Sequence, residues 1–530
     1  MIRADDVRAG LRLLRDLRGF LRAPLTPSAA RSIVARRLAE REARLLAQVR
    51  ASFDRPGNPY GTLLRHAGCE PGDVRELVRS GGLEGALAIL AERGVWLSCA
   101  EFKGREPVRR GSLTLHLSPR DLLRPDASVH GVSRTSGSRG TPTAVPIDLA
   151  FIADHAVDTW LGLAAHDGLD WVHARWGMPG GTSITNPLEF ARGGSPPQRW
   201  FTPVPLGAGL PLRYRLADWT CRLGGFLGGV ALPGPTAAPL DDPRPLVDWL
   251  REVLDAGRIP HVWTFASSAV LACRAALDAG IDVAGARFTM GGEPTTAARR
   301  AAVEEAGCVA LPRYGATETD ILAFACRSPR APDDMHFLHD RHALVSAADG
   351  TSTGLPPHSL LFTSLLRSAP VLLLNVSLGD AADVDDAACG CPMEDLGWPI
   401  HVRNVRSFEK LTVGGIAFLD RDVARVLEED LPSRFGGHAT DYQVIERLEP
   451  DGRSGIRLRV HPNLGPIDEA ALVDTFLRAM GAGGGGEHLM TLALEQGGVV
   501  RVERAPPART ASGKILHVAQ PPPVLTSRDI

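Results

Sequence analysis

Lysine is almost missing from this chain. Among 59 basic residues only Lys103, Lys410 and Lys514 are lysines. Where arginine is chosen so consistently, a remaining lysine invites a chemical reason, because a compact ammonium on a flexible stem differs from a planar guanidinium fork. For Lys103 no such reason is expected. An excess of charge of one sign is also missing: Lys plus Arg is 59, Asp plus Glu is 61, and the net charge is −2. That balance removes the electrostatic reason to expect nucleic acid or an anionic membrane surface as a partner. No long apolar run is present. The most apolar stretch, 359–378, is interrupted by Arg367, Ser368 and Pro370 and reads as two buried strands joined by a turn rather than a membrane span. The first residues, Met1 to Asp6, lack the apolar core of a secretory signal. Eight cysteines spread over 530 residues do not make a disulfide framework. These absences predict a soluble, cytoplasmic protein. A Gly-x-Ser-x-Gly elbow is missing too, so His166-Asp167 and His339-Asp340 do not make a serine hydrolase.

A chain of 530 residues exceeds the roughly 250–300 at which one hydrophobic core stops growing, so two or more domains are expected. Residues 1–75 read as a mainly helical lead-in, with Val7, Leu11, Leu14, Leu17 and Leu21 at helical spacing. From about 75 to 330, helix-like stretches alternate with short apolar runs, as in 245–256 (helix), 261–265 (strand) and 269–279 (helix). That alternation predicts α/β layers. Around 400–415 the pattern becomes charged and glycine-bearing. Beyond it lie a helix (420–429), two strands (441–448 and 455–460) and a helix (468–480), the content of a small α+β domain. The boundary is placed at 405/406.

Five segments carry chemistry. Thr135-Ser136-Gly137-Ser138-Arg139-Gly140-Thr141-Pro142-Thr143 offers amides, hydroxyls and a guanidinium to an anion, without the Gly-Lys-Ser/Thr ending of a Walker loop. Met290-Gly291-Gly292-Glu293-Pro294 follows a strand-like run. Tyr314-Gly315-Ala316-Thr317-Glu318 places an aromatic, a hydroxyl and a carboxylate within five residues, enough to stack a base, meet a phosphate and hold Mg²⁺. The apolar run 371–378 reads as a strand ending in Gly379-Asp380, where a carboxylate can accept from ribose hydroxyls. Ser512-Gly513-Lys514 lies close to the C-terminus.

In this order the motifs resemble the adenylate-forming superfamily of acyl-CoA synthetases, peptide-synthetase adenylation domains and luciferases, over about 380 residues. Within it, Phe362-Thr363-Ser364-Leu365 through Pro370, and Asn58-Pro59-Tyr60 followed by Leu63-Leu64, are similar to phenylacetate–CoA ligases and acyl-protein synthetases. The resemblance implies a large layered N-terminal domain (1–405) and a small mobile α+β C-terminal domain (406–530). It implies ATP-dependent activation of a small-molecule carboxylic acid as acyl-AMP, with Mg²⁺, followed by transfer to CoA or a carrier-protein thiol. By this resemblance Thr135, Ser136, Gly137, Ser138, Arg139, Gly140 and Thr141 hold the outer phosphates. Gly292, Glu293, Pro294, Tyr314 and Gly315 frame adenine, Thr317 faces the α-phosphate and Glu318 carries Mg²⁺. Asp380 and Arg406 bind ribose, and Lys514 bridges the acid's carboxylate and the α-phosphate. The hinge falls near Glu409, and Gly414-Gly415 line the thiol channel.

Three departures stand out. Arg139 replaces a small residue, Leu374-Asn375-Val376-Ser377 replaces Arg-Tyr-Arg-Thr, and Phe408 or Glu409 replaces the hinge aspartate. They keep two alternatives open: transfer to an amine or other nitrogen nucleophile, and a nucleotide-binding homologue without turnover. Cys326, His336, Cys389 and Cys391 form two pairs that make either a tetrahedral zinc site or a set of free thiols. The glycine run 481–486 follows a helix rather than a strand and reads as a loop. The acid pocket is expected along 263–268 with Gly291 and Ala316, a mixture suited to a small or aromatic acid.

Overall fold

A computed structural model describes residues 4–134, 144–177, 182–203, 212–240, 242–347, 353–407, 411–413, 416–418, 420–448, 454–480, 500–509, 515 and 517–519. The chain divides into two compact units, residues 1–295 with 302–405, and residues 296–301 with 406–530.

The first unit is built on a twelve-stranded sheet. Its strands in chain order are β1 (Val172–Trp176), β2 (Arg199–Thr202), β3 (Pro235–Ala237), β4 (Pro260–Phe265), β5 (Arg287–Gly291), β6 (Val309–Ala316), β7 (Asp320–Ala325), β8 (Met335–Phe337), β9 (His342–Ala347), β10 (Ser359–Ser364), β11 (Val376–Asp386) and β12 (Ile400–Ser407). In space they run β9-β10-β11-β12-β8-β7-β6-β5-β4-β1-β2-β3.

Two halves meet between β6 and β7. From β3 to β6 every neighbouring pair is parallel. Parallel strands need crossover segments, and the helices Arg244–Asp255 and Ala266–Asp278 supply two of them. Leu246, Val247, Trp249, Leu250 and Val253 are buried on the first, the stripe that a 3.6-residue period puts toward a sheet. The sequence reading of 245–256, 261–265 and 269–279 agrees with these elements to within three residues at each end. The other half is antiparallel at β6–β7, β7–β8, β8–β12, β9–β10 and β10–β11.

Five consecutive helices come first: Ala4–Leu21, Pro27–Ala39, Arg41–Asp54, Pro59–His66 and Pro71–Glu92. The apolar stripe expected on the first is displaced. Leu13, Leu17 and Leu21 are buried, while Val7 and Leu11 are 53% and 63% exposed. The partner surface decides this, because Gly224 on the helix Leu212–Leu227 and Gly228 just after it leave room for Leu17 and Leu21. Pairing with a surface distant in sequence selects which leucines face inward.

The second unit holds a four-stranded sheet of β13 (Tyr442–Leu448), β14 (Ser454–Val460), β15 (Val500–Arg504) and β16 (Val518–Ala519), in the order β15-β14-β13-β16. The helix Glu469–Met480 covers it, packing Leu472, Phe476, Leu477 and Met480 against Val444, Ile456, Leu458 and Val460. The helix expected over 420–429 is interrupted: Asp420–Arg425 passes into a π-turn at Val426–Asp430 and resumes at Leu431–Phe435. Among the described residues no helix is long and apolar enough to cross a membrane.

Candidate active site

In open α/β sheets ligands bind outside the carboxyl ends of the parallel strands, where the topology changes. Here that edge carries two of the five sequence motifs and the expected acid-pocket segment. Strand β4 ends at Phe265, β5 at Gly291 and β6 at Ala316, and the register sets Phe265 beside Gly291 and Met290 beside Pro312. The residues that follow β4 and β5 are tied together. Glu293 accepts from the Ser267 amide at 2.7 Å and the Ser267 hydroxyl at 3.0 Å. Ser267 opens the helix Ala266–Asp278, so this carboxylate sits on a helix N-terminus, where exposed N–H groups favour an anion. The Glu293 carboxylate thus fixes the Gly291-Gly292-Glu293 turn. Gly292 has φ 74°, a left-handed conformation that costs glycine nothing.

The β6–β7 hairpin is the centre of the edge. A three-residue turn, Thr317-Glu318-Thr319, joins paired Ala316 and Asp320. It is closed by Thr319 N–H donating to Ala316 O at 3.2 Å, while the Ala316 amide donates to Thr319 Oγ1 at 3.3 Å. Asp320 takes φ 56°, and aspartate is among the few side chains that tolerate this region. It is held there by Arg313 and by His155. Burial, with the Arg341 charge adding, pushes His155 down to about 4, so the ring is neutral at pH 7 and donates Nδ1–H to the Asp320 carboxylate. The register shifts between Tyr314 and Gly315. A Cβ on Gly315 would lie 1.9 Å from the Asp320 carbonyl oxygen, so glycine is required for the two strands to close.

This construction aims two groups. Tyr314 donates its hydroxyl to Asp380 Oδ2 at 2.8 Å, and burial, with Asp380 adding, pushes the phenol well up. Glu318 is 5% exposed, and its Oε1 has no hydrogen-bond donor among the described residues. Among the described residues, Lys103 Nζ stands 4.0 Å from that oxygen. Buried acceptors are almost always satisfied, so a carboxylate oxygen left over at the tip of a braced hairpin suits a cation. The residues present fit Mg²⁺ in this respect.

The arrangement corrects two expectations. Asp380 does not end a strand. It lies within β11, which starts at Val376, while Val371 makes only an isolated bridge to Leu123. Pro370 and the left-handed Asn375 (φ 50°) keep 371–375 out of the sheet. Lys103, for which no role was expected, stands at the Glu318 carboxylate. The rarity of lysine was the signal that could have found it.

No protein-family model matches the chain, and no curated protein sequence is significantly similar to it. Solved structures do match. A 2-hydroxyisobutyryl-CoA ligase in the postadenylation state, in complex with R3-HIB-AMP, superposes with a TM-score of 0.52 at 14% identity, over 91% of this chain and 88% of that one. The anthranilate CoA ligase AuaEII with anthranoyl-AMP gives 0.44 at 14% identity, over 78% and 68%. O-succinylbenzoate coenzyme A synthetase of Bacillus subtilis, with ATP and magnesium ion, gives 0.42 at 14% identity, over 74% and 70%. This chain has the fold of an adenylate-forming ligase.

Within that fold the structure joins Glu293 to Ser267, Tyr314 to Asp380 and Glu318 to Lys103. Gly315 and Thr317 belong to the same hairpin, and Pro294 follows Glu293. Residues 135–143, Phe408, Glu409, Gly414, Gly415 and Lys514 lie outside the described residues. Arg406 belongs to the second unit and stands one residue before the end of β12. In the expected acid pocket Trp263 is buried, edge-on to Phe190 at 5.8 Å and under Arg313 at 4.6 Å. Cys326, His336, Cys389 and Cys391 come together, and His401, which nothing in the sequence had marked, joins Cys326, His336 and Cys389 within 4.8 Å.

Asn58-Pro59-Tyr60 also gains a structural meaning. Asn58 caps the helix Pro59–His66, and the buried Tyr60 donates its hydroxyl to Leu372 O at 2.9 Å. It thereby anchors the segment leading to Asp380.

Proposed function

We propose that this chain is an AMP-forming acid–thiol ligase, which activates a carboxylic acid with ATP as acyl-AMP, releases pyrophosphate and passes the acyl group to CoA or a carrier-protein thiol. The observation that carries the reading is the β6–β7 hairpin at the carboxyl edge, with its buried and unsatisfied Glu318 oxygen.

In this reading Glu318 would hold Mg²⁺, whose charge would offset that of the departing pyrophosphate. Tyr314, fixed by Asp380, offers a flat ring to the base, with Gly292, Glu293 and Pro294 forming the turn beside it. Thr317 faces the α-phosphate, Asp380 and Arg406 take the ribose hydroxyls, and 135–141 grip the outer phosphates. A carboxylate and a triphosphate repel each other, so their approach needs a localised cation between them. Lys514 supplies it. The Trp263 wall favours a small or aromatic acid. The Asn58-Pro59-Tyr60 anchor supports a place near the phenylacetate–CoA ligases within the superfamily.

A second reading keeps the adenylate and delivers the acyl group to an amine. The missing arginines favour it. Where the related pattern has them, Leu374 and Val376 are buried, and Asn375 between them donates from Nδ2 to Leu87 O at 2.8 Å and Val95 O at 3.1 Å, so the segment braces the scaffold.

Both readings are tested by incubating the full chain with ATP, Mg²⁺ and a panel of carboxylic acids, reading pyrophosphate release and the adenylate mass. Release with at least one acid is expected, falling about 100-fold or more in Lys514→Ala. No release from any acid, or release unchanged by that substitution, overturns the proposal. Product mass after adding CoA, a carrier protein or an amine decides the acceptor.

A further inference from the structure

Cys326 lies immediately after β7, His336 is the middle residue of β8, and Cys389 and Cys391 flank Gly390 after β11. Three separations tie them together. Cys326 Sγ to Cys389 Sγ is 3.7 Å, Cys389 Sγ to His336 Nε2 is 3.5 Å, and Cys391 Sγ to His336 Nε2 is 3.3 Å. With Zn–S of about 2.3 Å and Zn–N of about 2.0–2.1 Å, a regular tetrahedron has S···S edges of about 3.8 Å and S···N edges of about 3.5 Å. The distances are those of ligands already arranged around one metal. A disulfide would need the two sulfurs at about 2.05 Å.

The surroundings agree. His336 donates Nδ1–H to Trp398 O at 2.6 Å, which fixes the tautomer and leaves the Nε2 lone pair facing the sulfurs, as in metal-bound histidines. Backbone amides donate to two sulfurs, Ser328 N to Cys326 Sγ at 3.3 Å and Met393 N to Cys391 Sγ at 3.4 Å. Glu394 receives the amides of Cys389 and Gly390 and shapes the Cys-Gly-Cys turn, where Gly390 has φ 68°. Cys326, His336 and Cys391 are buried and Cys389 is half-buried, so the shell is closed to substrate. His401 is a rival fourth ligand. Asp334 accepts from its Nδ1 at 2.7 Å, which leaves Nε2 free, and that buried Nε2 has no hydrogen-bond partner among the described residues. Cys391 Sγ, by contrast, stands 3.3 Å from His336 Nε2, within a tetrahedral edge, and the His401 ring packs on His336 at 4.2 Å between centroids.

We propose that Cys326, His336, Cys389 and Cys391 bind one structural Zn²⁺, with His401 packed behind the site rather than coordinating. The ion cross-links the segment after the Glu318 hairpin strand to the segment after the Asp380 strand, which are 63 residues apart in sequence. It is independent of the acyl transfer, since a closed four-ligand shell leaves no position for substrate.

Full-length protein purified without chelators or added metal would be assayed by native mass spectrometry and elemental analysis. One zinc per chain is expected. Exchange for Co²⁺ should give the near-ultraviolet thiolate-to-cobalt band and the intense visible bands of a tetrahedral site. His401→Gln should keep the metal, while Cys389→Ser and Cys391→Ser should each weaken retention at least tenfold against a chelator. Metal-free wild-type protein that gives no cobalt–thiolate band overturns the proposal, and so does a Cys326–Cys389 disulfide found by non-reducing peptide mapping. Zinc kept in full by Cys391→Ser but lost from His401→Gln overturns the ligand set. Because the wild-type metal content is itself diagnostic, a variant that fails to fold leaves the test intact.

Discussion

Both halves of the large sheet have an apolar core, but the antiparallel side adds a buried ion network. The parallel half, β1 to β6, packs Val172, Val262, Phe288, Ala310 and the alanines of the Ala266–Asp278 helix in one cluster. The antiparallel half packs Phe337, Leu360, Phe362 and Val376 in another, and on that side buried charges are also paired across distant segments. Arg37, on the helix Pro27–Ala39, meets Asp154 and Asp158 at 2.8 Å and Asp340 at 3.2 Å. Arg341 meets Asp158 at 3.0 Å, and Trp398 donates to Asp340 at 2.8 Å. Apolar packing tolerates change in proportion to the volume lost, whereas a buried ion network fails when one member is removed. The candidate active site stands on the seam between the two. The carboxyl edge of the parallel strands is thereby braced by polar pairs such as Arg313 and His155 on Asp320.

The comparison can be broken most directly by paired core substitutions. Arg37→Met should cost about 3–5 kcal/mol, because it leaves Asp154, Asp158 and Asp340 without their shared cation. Val262→Ala in β4 should cost about 2 kcal/mol. Equal losses in denaturant unfolding would abolish the distinction. The seam itself is tested by Gly315→Ala. A Cβ at that position cannot coexist with the Asp320 carbonyl, so the hairpin must part. A loss of about 3 kcal/mol is expected, together with a rise in the ATP concentration needed for half-maximal pyrophosphate release. A variant with unaltered ATP dependence would detach the hairpin from the nucleotide.

Acid gives the smallest effect and sharpens the contrast from another side. Burial, with the Arg258 charge adding, pushes His173 on β1 down to about 3, and His155 stands at about 4. Both histidines are neutral in the folded chain and protonate near pH 6.5 when unfolded. Between those values the unfolded state binds more protons, so stability falls as pH drops below about 6.5. At about pH 5.5 each histidine should cost about 1.4 kcal/mol. Replacing His173 with Gln should flatten the fall in thermal midpoint; an unchanged slope would remove that histidine from the account.

Much of this was legible in the residues. Motif order indicated the fold through its resemblance to the adenylate-forming superfamily, and the alternation of helix-like and apolar runs indicated α/β layers. The helix 244–255 and strands β4, β13 and β14 followed from local periodicity. What stayed hidden depended on surfaces remote in sequence. The helix Leu212–Leu227 chose Leu13 over Leu11 for the interior, Pro370 and Asn375 delayed β11 and put Asp380 inside it, and the fold carried Lys103 to Glu318 across 215 positions.

By itself, then, the sequence indicated most of the elements and the candidate groups for chemistry, since backbone propensity, apolar period and side-chain type are local properties. Only the tertiary structure decided which of those groups meet: Tyr314 with Asp380, Glu318 with Lys103, and three cysteines with His336. Convergence is a property of packed surfaces, set by the volume and charge of partners that lie far along the chain.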